Sequence, residues 1–537
     1  MASAQDLDFE ERLGMPAGPE ESPAVPIAFS PEARIATGLS QQEAGDWRAA
    51  LQSFGEAARL DPMRASTYLA MGNAHGRLGE WAEAVENYQD ATRIDPRYAD
   101  AFNNLGLALL EIGRQSEAIA AFAKALEINP NHANASLNLA KVLASLDQFE
   151  IAFELLERAL ALEPLHAYAH LELGFVQEKS GLLERAAASY RRSMELDSNR
   201  SAREHLAAVL THMGDPTGVG KLEDLVREEP LSAEAHWNLG MGLLRHGRHE
   251  EGWREFEWRI EIPRLRKRHQ RLGKTRWQGE PLEGKTILLY GEQGHGDTLQ
   301  FLRYVPLVAE RGGRVILEAP PLLCRLLQGF PGVAECVALG EAKQHFSVYA
   351  SLMSLPCVLG SGAIPPPLAP ADYARGQPRL LRPSKWKVGL VWAGSPTHKG
   401  DRLRSLALGD LLPLRSVRSA EFVSLQMGPA AAQARGADSV FELPEPCAEA
   451  VDFADTARVI AGLDLVITVD TAVAHLAGTM GKPVWILLSN APDWRWGLHG
   501  TSTDWYPSAR LFRQTAPGGW REVLTGVVQE LRREIER

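Results

Sequence analysis

Apolar residues along this chain follow two different periods, and the change falls between residues 263 and 284. Before it, apolar positions recur at the three-to-four spacing that lays one stripe along a helix. After it, short runs such as "KTILLYG", "GRVILEA", "KVGLVWAG", "AEFVSLQ", "LDLVITVD" and "KPVWILLS" are nearly continuous and rich in β-branched residues, with helical segments between them. Continuous runs of that length suit strands covered on both faces, so the pattern predicts parallel sheets flanked by helices. The proline-rich stretch at residues 361–383 divides this region. Two Rossmann-like halves result, 284–382 and 383–537, the second ending in a C-terminal helix. The predicted fold class is an α-helical solenoid followed by an α/β pair.

Inside the helical part, Pro62, Pro96, Pro130, Pro164 and Ser198 stand at intervals of 34 residues, the period of tetratricopeptide repeats. Gly38, Gly72, Gly106, Ala140 and Gly174 share one phase, where a small residue lets two helices approach. Phe54, Tyr88, Phe122, Leu156 and Tyr190 share another, and fill the space beside them. Five repeats are predicted over 29–198, then an irregular helical pair around "MGDPTGVG" and a last repeat over 199–263. Each pair buries its stripe only against its neighbours, which predicts a stacked array with an extended concave surface. Asn104, Asn138 and Asn238 share a phase on first helices and Asn103 lies beside it, so their carboxamides are candidates for a peptide-binding groove. Asparagine is also an ordinary surface choice there.

Composition narrows the function. The net charge of −11 excludes a dedicated nucleic-acid binder, whose footprint is a cationic surplus. The four cysteines lack the spacing of a zinc or redox site, consistent with a reducing, cytoplasmic compartment. No apolar stretch is long enough to span a bilayer, and the acidic, proline-containing residues 1–28 are expected to stay disordered. The basic run at 264–283 is expected to be a linker.

Ligands in open parallel sheets sit at the carboxyl ends of strands, so three loops there hold the candidate chemistry. In "LLYGEQGHGDTLQF", Gly291, Gly294 and Gly296 follow a strand and precede a helix without the spacing of a dinucleotide or P-loop motif. Asp297 is there either a catalytic carboxylate or, with Gln300, a helix cap. In "AGSPTHKGDRLRSL", Ser395, Lys399, Arg402 and Arg404 gather donors and charge suited to phosphate. In "VDTAVAHLAG", Asp470 ends a strand, Thr471 with the amides of Ala472 and Val473 opens a helix suited to an anion, and His475 follows on its first turn. Asp493, Trp494 and Arg495 after the last apolar run form either a lid over this end of the sheet or a structural plug.

Together these three loops resemble heptosyltransferase-type glycosyltransferases of the GT-B fold, and the fusion to tetratricopeptide repeats is similar in architecture to protein O-GlcNAc transferases. The resemblance covers residues 284–515. It implies Asp297 as general base, Arg404 at the donor phosphate, and Asp470, Thr471 and His475 around phosphate and sugar. The sequence departs from that pattern at Ala472, where the family has glycine, and at Arg404, where heptosyltransferases have lysine. The implied activity is inverting transfer from a nucleotide-diphosphate sugar, without metal or other cofactor, to a protein or peptide acceptor recruited by the repeats. A non-catalytic scaffold with a degenerate sugar-nucleotide domain is the alternative.

Overall fold

The structure is a computed structural model that describes residues 30–342, 346–360, 364–368, 385–398, 400–435, 441 and 443–537. Lys399 and the N-terminal residues expected to be disordered lie outside that set. Two compact units divide the chain: one holds residues up to 179 and 185–203, the other 180–184 and 204–537.

The first unit is built from paired helices, from Pro31–Glu43 with Trp47–Leu60 onward. Within each pair the close approach has a visible cause. A Cβ added at Gly38, Gly72, Gly106 or Gly174 would lie 2.4–2.6 Å from the ring of Phe54, Tyr88, Phe122 or Tyr190. The fourth pair has Ala140 instead, and there the facing residue is the smaller Leu156; both are fully buried. The turn inside that pair is also unusual, since Asp147 adopts φ 60° where the adjacent pairs use Gly113 and Gly181.

Residues 199–230 are not irregular. They form a regular pair, Arg200–His212 and Pro216–Glu228. The residues that disturb the repeat pattern are a helix start: Asp215 accepts from the Thr217 amide at 2.8 Å, and Pro216 takes the first turn, where its missing N–H costs nothing. The last pair, Ala233–Arg245 and His249–Phe256, belongs to the second unit.

That unit contains two five-stranded parallel sheets. The first comprises β1 (Thr275–Arg276), β2 (Thr286–Tyr290), β3 (Arg314–Ala319), β4 (Val333–Ala338) and β5 (Val348–Ser351), in the order β1-β5-β2-β3-β4. The second comprises β6 (Trp386–Val391), β7 (Ala420–Ser424), β8 (Leu465–Val469), β9 (Val484–Leu488) and β10 (Ala509–Arg513), ordered β10-β9-β8-β6-β7. The expected basic linker is largely structured. It forms a helix, Pro263–Leu272, then the edge strand β1, and Trp277 follows fully buried in the core. In each sheet the strand order reverses once, beside β2 in the first and beside β6 in the second, and these reversals open the crevices that receive ligands in such folds.

Candidate active site

The reversal in the second sheet lies between β6 and β8, so the loop after β6 and the residues after β8 flank one crevice. Arg404 joins them. Its Nη1 donates to the Asp470 carbonyl at 2.7 Å and its Nε to Asp401 at 3.1 Å. It lies across Gly394, where a Cβ would sit 2.6 Å from Nη2. Ser395 is exposed and bonds Thr397 at 2.8 Å, and Arg402 is exposed on the same short helix, Asp401–Arg404.

Beyond β8, Thr471 occupies the N-cap of helix Ala472–Thr479, but its hydroxyl makes no capping bond. It turns back to Thr468 at 3.0 Å. The first amides of a helix have no partner inside it, so those of Ala472 and Val473 remain donors for an anion. His475 is buried on this helix, with Nδ1 at 2.9 Å from the Tyr506 hydroxyl and its ring stacked on Trp496. Its Nε2 stands 4.0 Å from Asp470 Oδ1. Burial, reinforced by Arg495, pushes the imidazole down to about 3, which keeps it neutral. Burial and the nearby Asp493 push the Asp470 carboxyl up to about 6.

The first half contributes the helix His295–Phe301, which crosses helix Ala472–Thr479 at Gly296. A Cβ there would meet His475 Cδ2 at 2.7 Å. The cap of this helix differs from the expected Asp297–Gln300 box. Gly294 is the N-cap, and Asp297 sits three residues in, its Oδ2 accepting from the Gly294 amide at 2.8 Å. Gly291 lies at the end of β2, against the Thr298 hydroxyl. The other oxygen of Asp297 accepts from Arg495 Nη2 across the junction of the halves. Arg495 also donates to Gln300 Oε1 at 2.5 Å and to Asp493 at 2.7 Å. Burial opposes the charge on Arg495, but Asp493 and Asp297 outweigh it and raise the guanidinium pKa. Burial alone would raise Asp493; the same arginine holds it below the usual carboxylate range.

At Asp493, Trp494 and Arg495 the packing matches the plug of the two sequence readings. Trp494 is buried edge-on against Trp253 of the last helix pair, with ring centroids 5.3 Å apart. Trp496 is equally buried, and Arg495 lies 4.5 Å over the Trp494 ring. These residues are a plug whose apolar rings anchor the charged network. The peptide-groove expectation changes. Asn103, Asn104 and Asn138 are buried, not open to solvent: Asn138 donates to Asn103 at 3.0 Å, Asn103 to Asn104 at 3.1 Å and Asn104 to Asn73 at 3.0 Å. Asn238 is half-buried and belongs to the other unit. The spacing that aligned Asn104, Asn138 and Asn238 carries no information about which neighbours cover them. Sequence reasoning passed over Tyr506, which bonds His475 Nδ1, and weighed Trp496 only as part of a plug beside Arg495, although its ring stacks on His475. Gln300 was noted only as a cap partner.

With this geometry established, known proteins can be set beside the chain. Residues 69–133 and 137–209 match the tetratricopeptide repeat, and residues 427–506 match glycosyltransferase family 9 (heptosyltransferase). Protein FlbA of Caulobacter vibrioides is 27% identical over 335 residues, 54% of this chain and 53% of that protein, so the chain spans about half the length of this curated relative. Among solved structures, PilF of Pseudomonas aeruginosa is 23% identical over 38% of this chain and 94% of its own, with a TM-score of 0.36. A thermophilic tetratricopeptide protein of Thermus thermophilus, TTC0263, is 24% identical over 34% and 99%, with a TM-score of 0.29. By its own elements the chain is a helical-repeat protein joined to parallel α/β sheets. Its particular components are tetratricopeptide repeats and a glycosyltransferase family 9 domain. Among the described residues no helix is long and apolar enough to cross a membrane.

Proposed function

We propose that the chain is an inverting glycosyltransferase that uses a nucleotide-diphosphate sugar and needs no metal or other cofactor. The observation that carries this reading is that helix His295–Phe301, which bears Asp297, crosses the helix of His475 at Gly296, beside the crevice where Arg404 bonds the Asp470 carbonyl. In the reaction the acceptor hydroxyl oxygen attacks the anomeric carbon, the bond from that carbon to the phosphate oxygen breaks, and the acceptor proton passes to Asp297. The diphosphate leaves with the bonding electron pair. Arg404, Lys399 and Arg402, with the open amides at Ala472 and Val473, are the groups that would compensate its charge in place of a metal. For Asp297 to take the proton its contact with Arg495 has to open, so the base works only after a rearrangement at the junction. The acceptor is a protein or peptide recruited by the repeats, and the setting is cytoplasmic.

A second reading has a specific observation behind it. Both oxygens of Asp297 are already engaged, and Ala472 carries a methyl where the resembled family has none. A domain that binds a sugar nucleotide without turning it over fits those two facts. Titrating the purified protein with UDP, GDP and ADP sugars, and following release of the diphosphate, separates the readings. Binding with release supports the enzyme, and binding without release under all acceptors supports the sensor. No binding of any nucleotide sugar would end both.

A further inference from the structure

The first sheet has its own crevice, and the protein fills it. Chain order runs outward from β2 through β3 and β4, while β5 joins on the opposite side, so the ligand position lies between the carboxyl ends of β2 and β5. Arg259 occupies it. This residue comes from the 3-10 turn Glu257–Glu261 that ends the last helix pair, and its side chain is 1% exposed. All five guanidinium N–H groups have partners. Nε and Nη2 meet the two oxygens of Glu292 at 2.9 and 2.7 Å, and Nη2 also meets Ser354 Oγ at 2.9 Å. Nη1 reaches Glu257 at 2.6 Å and the Phe256 carbonyl at 3.2 Å.

Glu292 follows β2 by two residues and Ser354 follows β5 by three, so one guanidinium bonds both lips of the crevice. Stability does not require such an arrangement, because a buried ion pair seldom outperforms apolar residues of the same volume. A fork paired to a carboxylate adds a fixed position instead. Glu292 stands two residues before Gly294, whose amide donates to Asp297. Resting on the glycosyltransferase reading, we propose that Arg259 is a positioning residue of the active site. Through Glu292 it fixes the glycine-rich loop that presents Asp297, which makes the last helix pair part of the catalytic scaffold.

The test uses the full chain. In the double variant Arg259→Met/Glu292→Met both charges leave together and Glu257 keeps its bond from Arg276, so no buried ion is stranded. Amide hydrogen exchange over residues 288–301 is expected to rise about tenfold, and kcat for donor hydrolysis to fall about thirtyfold or more, as for a reacting group displaced by an ångström. The Kd for UDP, GDP or ADP should hold within about twofold, because those contacts lie in the other half. Arg259→Lys keeps the charge and loses the fork, and should show the same two changes, which covers the case in which the double variant does not fold. Wild-type exchange together with wild-type kcat in a folded variant would overturn the proposal. If the wild-type chain releases diphosphate from no nucleotide sugar under any acceptor, the glycosyltransferase reading fails by itself. Loop exchange then decides the positioning role, and unchanged exchange ends it.

Discussion

Asp297 serves two partners, an amide of its own helix start and an arginine of the opposite half, and each leads to a different consequence of replacing it. Asp297→Asn keeps an acceptor for Gly294 and removes the charge, so donor turnover should fall by about a hundredfold or more while affinity for the nucleoside diphosphate stays level. Steady-state kinetics beside calorimetry would measure both, and normal turnover would return Asp297 to a purely capping role. Asp297→Ala loses both bonds and should also lower stability by about 2 kcal/mol, read from urea denaturation. A second prediction concerns pH. Asp470 has a folded pKa raised to about 6, above its unfolded value, so its contribution is present in acid and is lost as pH rises toward 6. His475 has a folded pKa lowered to about 3, so its contribution is present above the unfolded value and is lost as pH falls below it toward 3. Between roughly pH 4 and 6 the two slopes oppose and largely cancel, given ordinary values near 3.9 and 6.5. His475→Gln should uncover stability that falls with rising pH, and Asp470→Asn the reverse; urea midpoints at three pH values would show it. Asp470 and His475 could be picked from sequence because one strand and the next helix deliver both. Arg495 could not be paired with Asp297, since 198 residues separate them and only the packing of Trp494 and Trp496 aims the guanidinium.

Helices and strands were legible in proportion to how completely they are covered. β2, β3, β6, β7, β8 and β9 were visible as apolar runs because each lies against neighbours on both edges or is buried along most of its length. The strands that were missed are β1, β4, β5 and β10. β1, β4 and β10 are sheet edges, where "VAECVA" and "ARLFR" mix charge into the run, and β5 is only four residues long. A regular helix pair looked irregular because Asp215, Pro216 and Gly218 resemble a loop when the cap is not recognised. Gly218 in fact sits against the Thr211 backbone, where a Cβ would be 2.5 Å from its nitrogen. The same reasoning applies at the crossing of helices His295–Phe301 and Ala472–Thr479. Gly296→Ala would force a methyl against the His475 ring, and is expected to cost about 1–3 kcal/mol by overpacking. A thermal midpoint shift, set against the half-buried Gly526→Ala as a control with nothing near its Cβ, checks that the effect is local.

For the whole molecule, the division into two units does not coincide with the change of sequence period between residues 263 and 284. The second unit begins its main run at residue 204 and includes the last helix pair. Trp253 of that pair meets Trp494 at 5.3 Å, Phe301 at 5.8 Å and Trp505 at 6.4 Å, so it touches both halves at once. A fragment starting at residue 264 would lack Trp253, Phe256 and Arg259. It should fail to fold, since losing one buried aromatic costs about 3–5 kcal/mol. A fragment starting at residue 204 should unfold cooperatively in urea and still bind the nucleoside diphosphate; a cooperative transition in the shorter fragment would show the helix pair to be dispensable. The contact between Gly296 and His475 bears on how the halves can move. A backbone resting directly on a ring has almost no compliance, so it acts as a fulcrum rather than a hinge. Rocking about it sweeps the distant rims of the two sheets through a wide arc, while Asp297, one residue from the pivot, hardly travels. On the glycosyltransferase reading, such a lever would admit and release substrates at its long arm while Asp297 stays in register at its short one.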